Sequence, residues 1–235
     1  MLDLIKKTIE EIKQHPYIVV TEEQINPPAS EDLFDLVKFQ SVCDIPSAVK
    51  DFYKQANGVV CRWSIKPDLD EKIMTSIYQQ ELEPGYDYSK PLGAIHILPI
   101  EKVMVNAWQG PQETDPGGDK ELEFSGQKFT YGSFGKLLKP FDLFSDIQCM
   151  TFVLLRKTNE YKVMMMDDYY ADWQNSLLTD FTTYLSAICA MKFMIPARAK
   201  IFKQYRGDLK PAVTWDKLKN QLPELPMFEP KFFNK

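Results

Sequence analysis

The chain has 235 residues, of which 44% are hydrophobic, 26% charged and 13% aromatic, which excludes a disordered or low-complexity polypeptide and allows one sizeable core with appendages. Its net charge of −5 is uneven: residues 196–235 hold nine Lys and Arg against four Asp and Glu, leaving nineteen against twenty-nine in residues 1–195. An acidic body with a basic tail repels nucleic acid over most of its surface and steers basic protein partners.

Met1 to Gln14 sets Leu2, Ile5, Ile9 and Ile12 at helical spacing among Lys6, Lys7, Glu10 and Glu11, which reads as an amphipathic helix and not as a secretory signal. No later run approaches a bilayer span, since the longest apolar patch, Leu185 to Ile195, is broken by Lys192; the expected location is the cytoplasm. Tyr17 to Val20 is short and β-like. Pro27-Pro28 marks a loop, and Ser30 is placed to cap a helix that turns Leu33, Phe34, Val37 and Val42 inward.

The next stretch, Asp44 to Trp63, is the most informative in the chain. Pro46 suits a first helical turn, with Asp44 before it as a cap, and Val49, Phe52, Tyr53 and Ala56 fall on one apolar stripe. Gly58 after Asn57 is expected to end the helix. From Val59 the period drops to two, with Val59, Cys61, Trp63 and Ile65 on one face and Val60, Arg62 and Ser64 on the other.

Pro67 to Asp70 is turn-like, Met74 to Gln80 suits a strand or a short helical turn, and Glu83 to Tyr88 is a turn-rich loop. Gly93 to Leu98 reads as a strand, after which Pro99 opens a short element through Val103 and Trp108. Gln109 to Lys120 is polar and rich in Gly and Pro, an exposed loop. Gln148 to Leu155 is a continuous apolar strand, and Asn159-Glu160 turns it back into Tyr161 to Met166 as a hairpin. A long amphipathic helix follows, carrying Leu177, Leu178, Phe181, Tyr184, Leu185, Ile188 and Cys189. Ile195-Pro196 is the expected boundary between a domain of residues 1–195 and a basic, Pro-containing helical or extended extension of residues 196–235. The fold class expected is α+β, with a mainly antiparallel central sheet flanked by helices.

Taken together, Ile45-Pro46, the aromatic pair Phe52-Tyr53 ahead of Asn57-Gly58, and the apolar strand ending in Trp63 resemble the central motif of the SUKH superfamily. The strand and short helix around Pro99, and Phe181 to Leu185 at the start of the closing helix, extend the resemblance over roughly residues 30 to 190. Val59 stands where the family usually carries a second Gly, and Ser41 to Asp44 lacks its Glu and Leu-Gly. The superfamily includes bacterial immunity proteins against polymorphic toxins and fungal regulators of cell-wall assembly. The resemblance therefore implies a protein-binding role, while Ile45, Pro46, Phe52, Tyr53, Asn57, Gly58 and Trp63 read as structural.

Catalytic signals are sparse. There are two histidines, His15 at a helix end and His96 within an apolar strand, and both read as structural. Cys43, Cys61, Cys149 and Cys189 form no C-x-x-C pair and read as reduced core residues. Tyr131 to Lys136 lacks the Gly needed by a nucleophile elbow or a phosphate loop and reads as a turn; Gly117-Gly118 lacks the third Gly of a dinucleotide site. Asp167, Asp168 and Asp172 could converge on a hard cation, but without a Gly-bearing loop they read as strand-end carboxylates or part of a binding face. In the tail, Arg198, Lys200, Lys203 and Arg206 with Tyr205 could hold phosphates, although docking on the protein's own carboxylates or a solvated face is the favoured reading.

No catalytic, cofactor or metal residue is assigned. The expected function is a non-catalytic, cytoplasmic protein-binding module, first an immunity protein that neutralises a cognate toxin, with a nuclease toxin suggested by its cationic cleft. The alternatives are a regulatory or scaffolding module with an endogenous partner, and a small hydrolase assembled from distant residues. The candidate protein-binding surface is Glu113, Asp115, Asp119, Glu121 and Glu123, with Asp167 and Asp168.

Overall fold

A computed structural model describes residues 1–16, 18–40, 44–68, 90–105, 118–124, 126–146, 148–155, 160–167, 179–195 and 198. Helix α1 (Leu2–Lys13) buries Leu2, Ile5, Ile9 and Ile12, the stripe its spacing predicts, and Thr8 on the same face satisfies its hydroxyl on the Leu4 carbonyl at 2.9 Å. Strand β1 (Ile18–Ile25) runs well past the short β-like segment read from sequence. Its polar half, Thr21 to Gln24, is exposed and carries no alternation; pairing with β2 (Val59–Ile65) holds it in place, after a bulge where Thr21 Oγ1 donates to the Arg62 carbonyl at 3.2 Å.

Helix α2 (Glu31–Gln40) starts with the Leu33 amide donating to Ser30 Oγ at 3.3 Å, as the sequence suggests, and buries Phe34 and Val37. Helix α3 (Ser47–Tyr53) is shorter than expected at both ends. Pro46, at ψ 142°, is its N-cap and not its first helical residue, and its ring offers no capping oxygen. Past Tyr53 a hydrogen-bonded turn carries the chain through Ala56, and the Asn57 amide then leaves the helical path to donate to Pro27 O at 2.8 Å. β2 shows the predicted alternation, with Val59, Cys61 and Trp63 buried between partly exposed Val60, Arg62 and Ser64.

β3 (Gly93–Ile97) and the short α4 (Ile100–Met104) follow as a pair. β4 (Glu121–Phe124) and β5 (Gln127–Thr130) form a separate hairpin. Tyr131 to Lys136, expected to be a plain turn, instead forms the one-turn helix α5 (Tyr131–Gly135), because Thr130 and Ser133 satisfy each other's backbone amides in a capping box. β6 (Leu138–Asp142) has no simple strand pattern; it tolerates Pro140 at a register shift against β7 (Gln148–Leu155). β7 and β8 (Glu160–Asp167) make the expected hairpin, and α6 (Phe181–Ala190) closes the fold with Asp180 Oδ1 accepting from the Thr183 amide at 2.9 Å.

The main sheet is antiparallel, six-stranded, and ordered β1-β2-β3-β6-β7-β8, so the expected α+β class holds. Residues of α1, α2, α3, α4 and α6 pack with Ile18, Val59, Cys61, Trp63, Ile95, Ile97, Phe141, Phe152 and Val163 into the principal core. Phe181 ties α6 to α3 and the sheet, with ring centroids 5.4 Å from Phe52, 5.5 Å from Phe141 and 5.6 Å from Phe152. Each such aromatic pair adds about 0.5–1.5 kcal/mol beyond burial. A second core takes Leu122 and Phe124 of the hairpin, Phe134 of α5, and Leu138, Cys149, Val153, Leu155, Met164 and Met166. Alternation puts these β7 residues on the face opposite Met150, Phe152 and Leu154, so β6–β8 are covered on both sides.

The halves β1–β3 and β6–β8 meet at a thin seam. β3 and β6 share the single pair Ile97↔Asp142, flanked by Leu98 N–H to Phe141 O at 2.8 Å and Leu143 N–H to His96 O at 3.0 Å. The start of β3 is bordered instead by the chain leaving α6: the Ala94 amide donates to Phe193 O and the Ile195 amide to Leu92 O, each at 3.0 Å. Among the described residues no helix is long and apolar enough to cross a membrane.

Candidate functional site

The signature residues form a structural node. Tyr53, fully buried on α3, donates its hydroxyl to the Leu98 carbonyl at 2.9 Å, and burial pushes its ionisation well above the ordinary tyrosine range. Asn57 Oδ1 accepts from the Ile100 amide at 2.8 Å, its Nδ2 donates to Glu101 at 3.0 Å, and its carbonyl accepts from Asn26 Nδ2 at 2.8 Å. One side chain thus fastens the first turn of α4 to the loop after α3. Gly58 sits at φ +108°, where a Cβ would lie 2.8 Å from Ile97 O, so both conformation and space exclude a side chain.

Trp63 lies fully buried and donates Nε1–H to the Lys192 carbonyl at 2.7 Å. Its indole fills the space over Gly93, where a Cβ would come within 2.1 Å of the ring. Ile45 packs at the margin of the core and Pro46 is half-buried. Tyr53, Asn57 and Trp63 therefore spend their polar groups on the fold.

Of the acidic candidates, Asp119, Glu121 and Glu123 are brought together. Along β4 the alternation sends Leu122 and Phe124 into the second core and leaves Glu121 and Glu123 exposed on the other side, with Asp119 exposed just before the strand. Lys120 and Lys128 are exposed on the same hairpin, Lys128 opposite Glu123 in the register. Asp167 ends β8, remote in sequence from this hairpin. Glu113, Asp115, Asp168 and Asp172 lie outside the described residues, as do Cys43, Lys200, Lys203, Tyr205 and Arg206.

A fully buried ionic cluster at the seam was not anticipated from sequence. Asp142 on β6, Tyr184 on α6 and Arg198 have no solvent exposure. Tyr184 donates its hydroxyl to Asp142 Oδ2 at 2.5 Å, and the His96 amide donates to Asp142 Oδ1 at 2.7 Å. Arg198 Nη1 donates to Asp142 Oδ2 and to the Tyr184 hydroxyl, each at 3.0 Å, while Nη2 donates to the Ala94 carbonyl at 2.7 Å. The Phe144 ring lies 4.1 Å below the guanidinium carbon. Burial raises the Tyr184 ionisation far above its ordinary value, so the hydroxyl keeps its proton and can donate.

Arg198 thus docks on the protein's own carboxylate, one of the readings open for the basic stripe. The signal available in the sequence was Asp142 itself, a lone carboxylate between Phe141 and Leu143-Phe144. A carboxylate in apolar surroundings calls for a cation.

Cys61, Cys149 and Cys189 are free and buried, and burial pushes their thiols up to about 12, 12 and 11, which leaves them poor nucleophiles. His96 is half-buried on the face of β3 that pairs with Val60, and desolvation lowers its pKa despite the nearby Asp142 charge. His15 is buried at the end of α1. Among the described residues no three His, Cys, Asp or Glu side chains converge as metal ligands. Comparison with protein-family models, with curated proteins and with solved structures finds no match to this chain.

Proposed function

We propose that the chain is a protein-binding module of the SUKH type, acting as an immunity protein that neutralises a cognate, basic toxin by direct binding. The observation that carries this reading is the β4–β5 hairpin, which anchors Leu122 and Phe124 in a core while presenting Asp119, Glu121 and Glu123 to solvent. Carboxylates mounted on a packed hairpin keep their spacing without the ordering cost that a loose loop would incur on binding. They suit a cationic cleft, such as a nuclease toxin uses for its polyanionic substrate, and complementarity of this kind acts mainly on association rate.

The resemblance of Ile45-Pro46, Phe52-Tyr53, Asn57-Gly58 and Trp63 to the superfamily motif supports the same role, and the node they form explains why those residue types are needed together. Co-expression with the product of the adjacent reading frame tests the proposal: rescue from toxicity with a stable complex is expected, whereas a product that is toxic alone and unrescued excludes that pair. Within a complex, the double reversal Glu121→Lys and Glu123→Lys is expected to slow association by about tenfold at low salt and to flatten its salt dependence. Unchanged kinetics would move the binding surface elsewhere.

A further inference from the structure

We infer that Asp142, Tyr184, Phe144 and the Ala94 carbonyl form a guanidinium-recognition site, filled in cis by Arg198, whose occupancy ties β3 to β6 across their seam. The acceptors are held by partners other than the guanidinium. Asp142 Oδ1 is fixed by the His96 amide and Oδ2 by the Tyr184 hydroxyl, at 2.7 and 2.5 Å. The carboxylate and phenol oxygens converge on Nη1 and the Ala94 carbonyl takes Nη2, while the Phe144 ring lies 4.1 Å from Cζ. A planar fork fits that arrangement, whereas an ammonium can use the charge and the ring face but not the fork.

Arg198 Nε is buried without a hydrogen-bond partner, so the site reads the terminal Nη edge of the guanidinium and leaves the stem side unread.

The approach to the site is built at a cost. Lys192 and Phe193 stand at φ 55° and 63°, two consecutive left-handed residues that are not Gly. Their turn is held by Trp63 Nε1–H on Lys192 O, by the ion pair of Lys192 with Glu11, and by the Ala94 and Ile195 amides, after which the Arg198 amide donates to Met194 O at 3.1 Å. This path directs Arg198 into the seam, where β3 and β6 share only one residue pair. A buried ion pair adds little stability over apolar filling of the same volume. Its contribution here is selection, because the fork of a guanidinium reaches Asp142, Tyr184 and the Ala94 carbonyl together.

The test uses the full chain with Arg198→Ala. Methylguanidinium at millimolar concentration is expected to raise the thermal midpoint of the variant saturably, by about 2–4 °C, and to slow the exchange of its Ala94 and Leu143 amides. Methylammonium at equal ionic strength, and methylguanidinium added to the unaltered chain, are expected to do neither. Equal responses of variant and unaltered chain, or of the two cations, would overturn the proposal. Should Arg198→Ala fail to fold, Arg198→Lys decides: a lowered midpoint with about tenfold faster exchange at the same amides is expected, and a Lys variant that matches the unaltered chain overturns it.

Discussion

In the β6–β8 half of the sheet, β7 is buried at all eight residues, because helices cover one face and the β4–β5 hairpin with α5 covers the other. In the β1–β3 half, β2 alternates between buried Val59, Cys61 and Trp63 and partly exposed Val60, Arg62 and Ser64, with no second core among the described residues. The difference shows that a strand's residue pattern records how many of its faces are covered: unbroken apolar where two layers press on it, period two where one does. It also separates two tasks. The one-sided half carries the signature node and an edge guarded by charge, with Glu22 paired to Arg62 at 3.1 Å and Glu23 to Lys13 at 2.7 Å. The two-sided half carries the acidic hairpin.

The comparison breaks most readily in the two-sided half. Phe152→Ala removes the ring stacked on Phe141 at 4.2 Å and leaves a cavity, and a loss of about 3–5 kcal/mol is expected in chemical denaturation. In the one-sided half the largest effect comes from adding an atom. Gly93→Ala drives a Cβ into the Trp63 indole, which is fully buried, and is expected to cost about 3 kcal/mol. A near-neutral result there would mean that the indole and β3 are not held against one another.

Asn57→Ala should cost about 1–3 kcal/mol by leaving the Ile100 amide without its acceptor, with hydrogen exchange accelerated first in α4. The smallest effect expected from a substitution is Ser64→Ala, on the less covered face of β2, within about 0.5 kcal/mol. A cost as large as that of Asn57→Ala would show the face to be covered after all and would end the contrast between the halves.

His96 sharpens the contrast through pH. Desolvation depresses its folded pKa below the ordinary 6.5, so the unfolded chain takes up the proton first as pH falls. Stability is therefore expected to decline from about pH 6.5 downward, levelling once the folded-state value is passed, and His96→Gln is expected to flatten that segment of the profile. A decline of the same size in the Gln variant would assign the effect to another group.

Much of this was legible in the residues. The α1 stripe, the β2 alternation, the β7–β8 hairpin and the positive φ at Gly58 follow from patterns only a few residues long. The polar half of β1 and the Pro-bearing β6 were not, because register with a neighbouring strand holds them and no local preference does. Tyr131 to Gly135 read as a turn because a five-residue helix has no room for a periodic stripe; its capping box, contributed by Thr130 and Ser133, decides it.

The acidic candidates divide in the same way: the alternation of Glu121 and Glu123 with Leu122 and Phe124 is present in sequence, yet its use depended on the second core that gives the hairpin an inside. The helical and strand periods, the uneven charge and the residues of the signature node are readable along the chain, because each depends on residues within one segment. That Asp142, Tyr184 and Arg198 meet is a property of the folded chain alone, since they come from separate segments and a buried charge finds its partner through space.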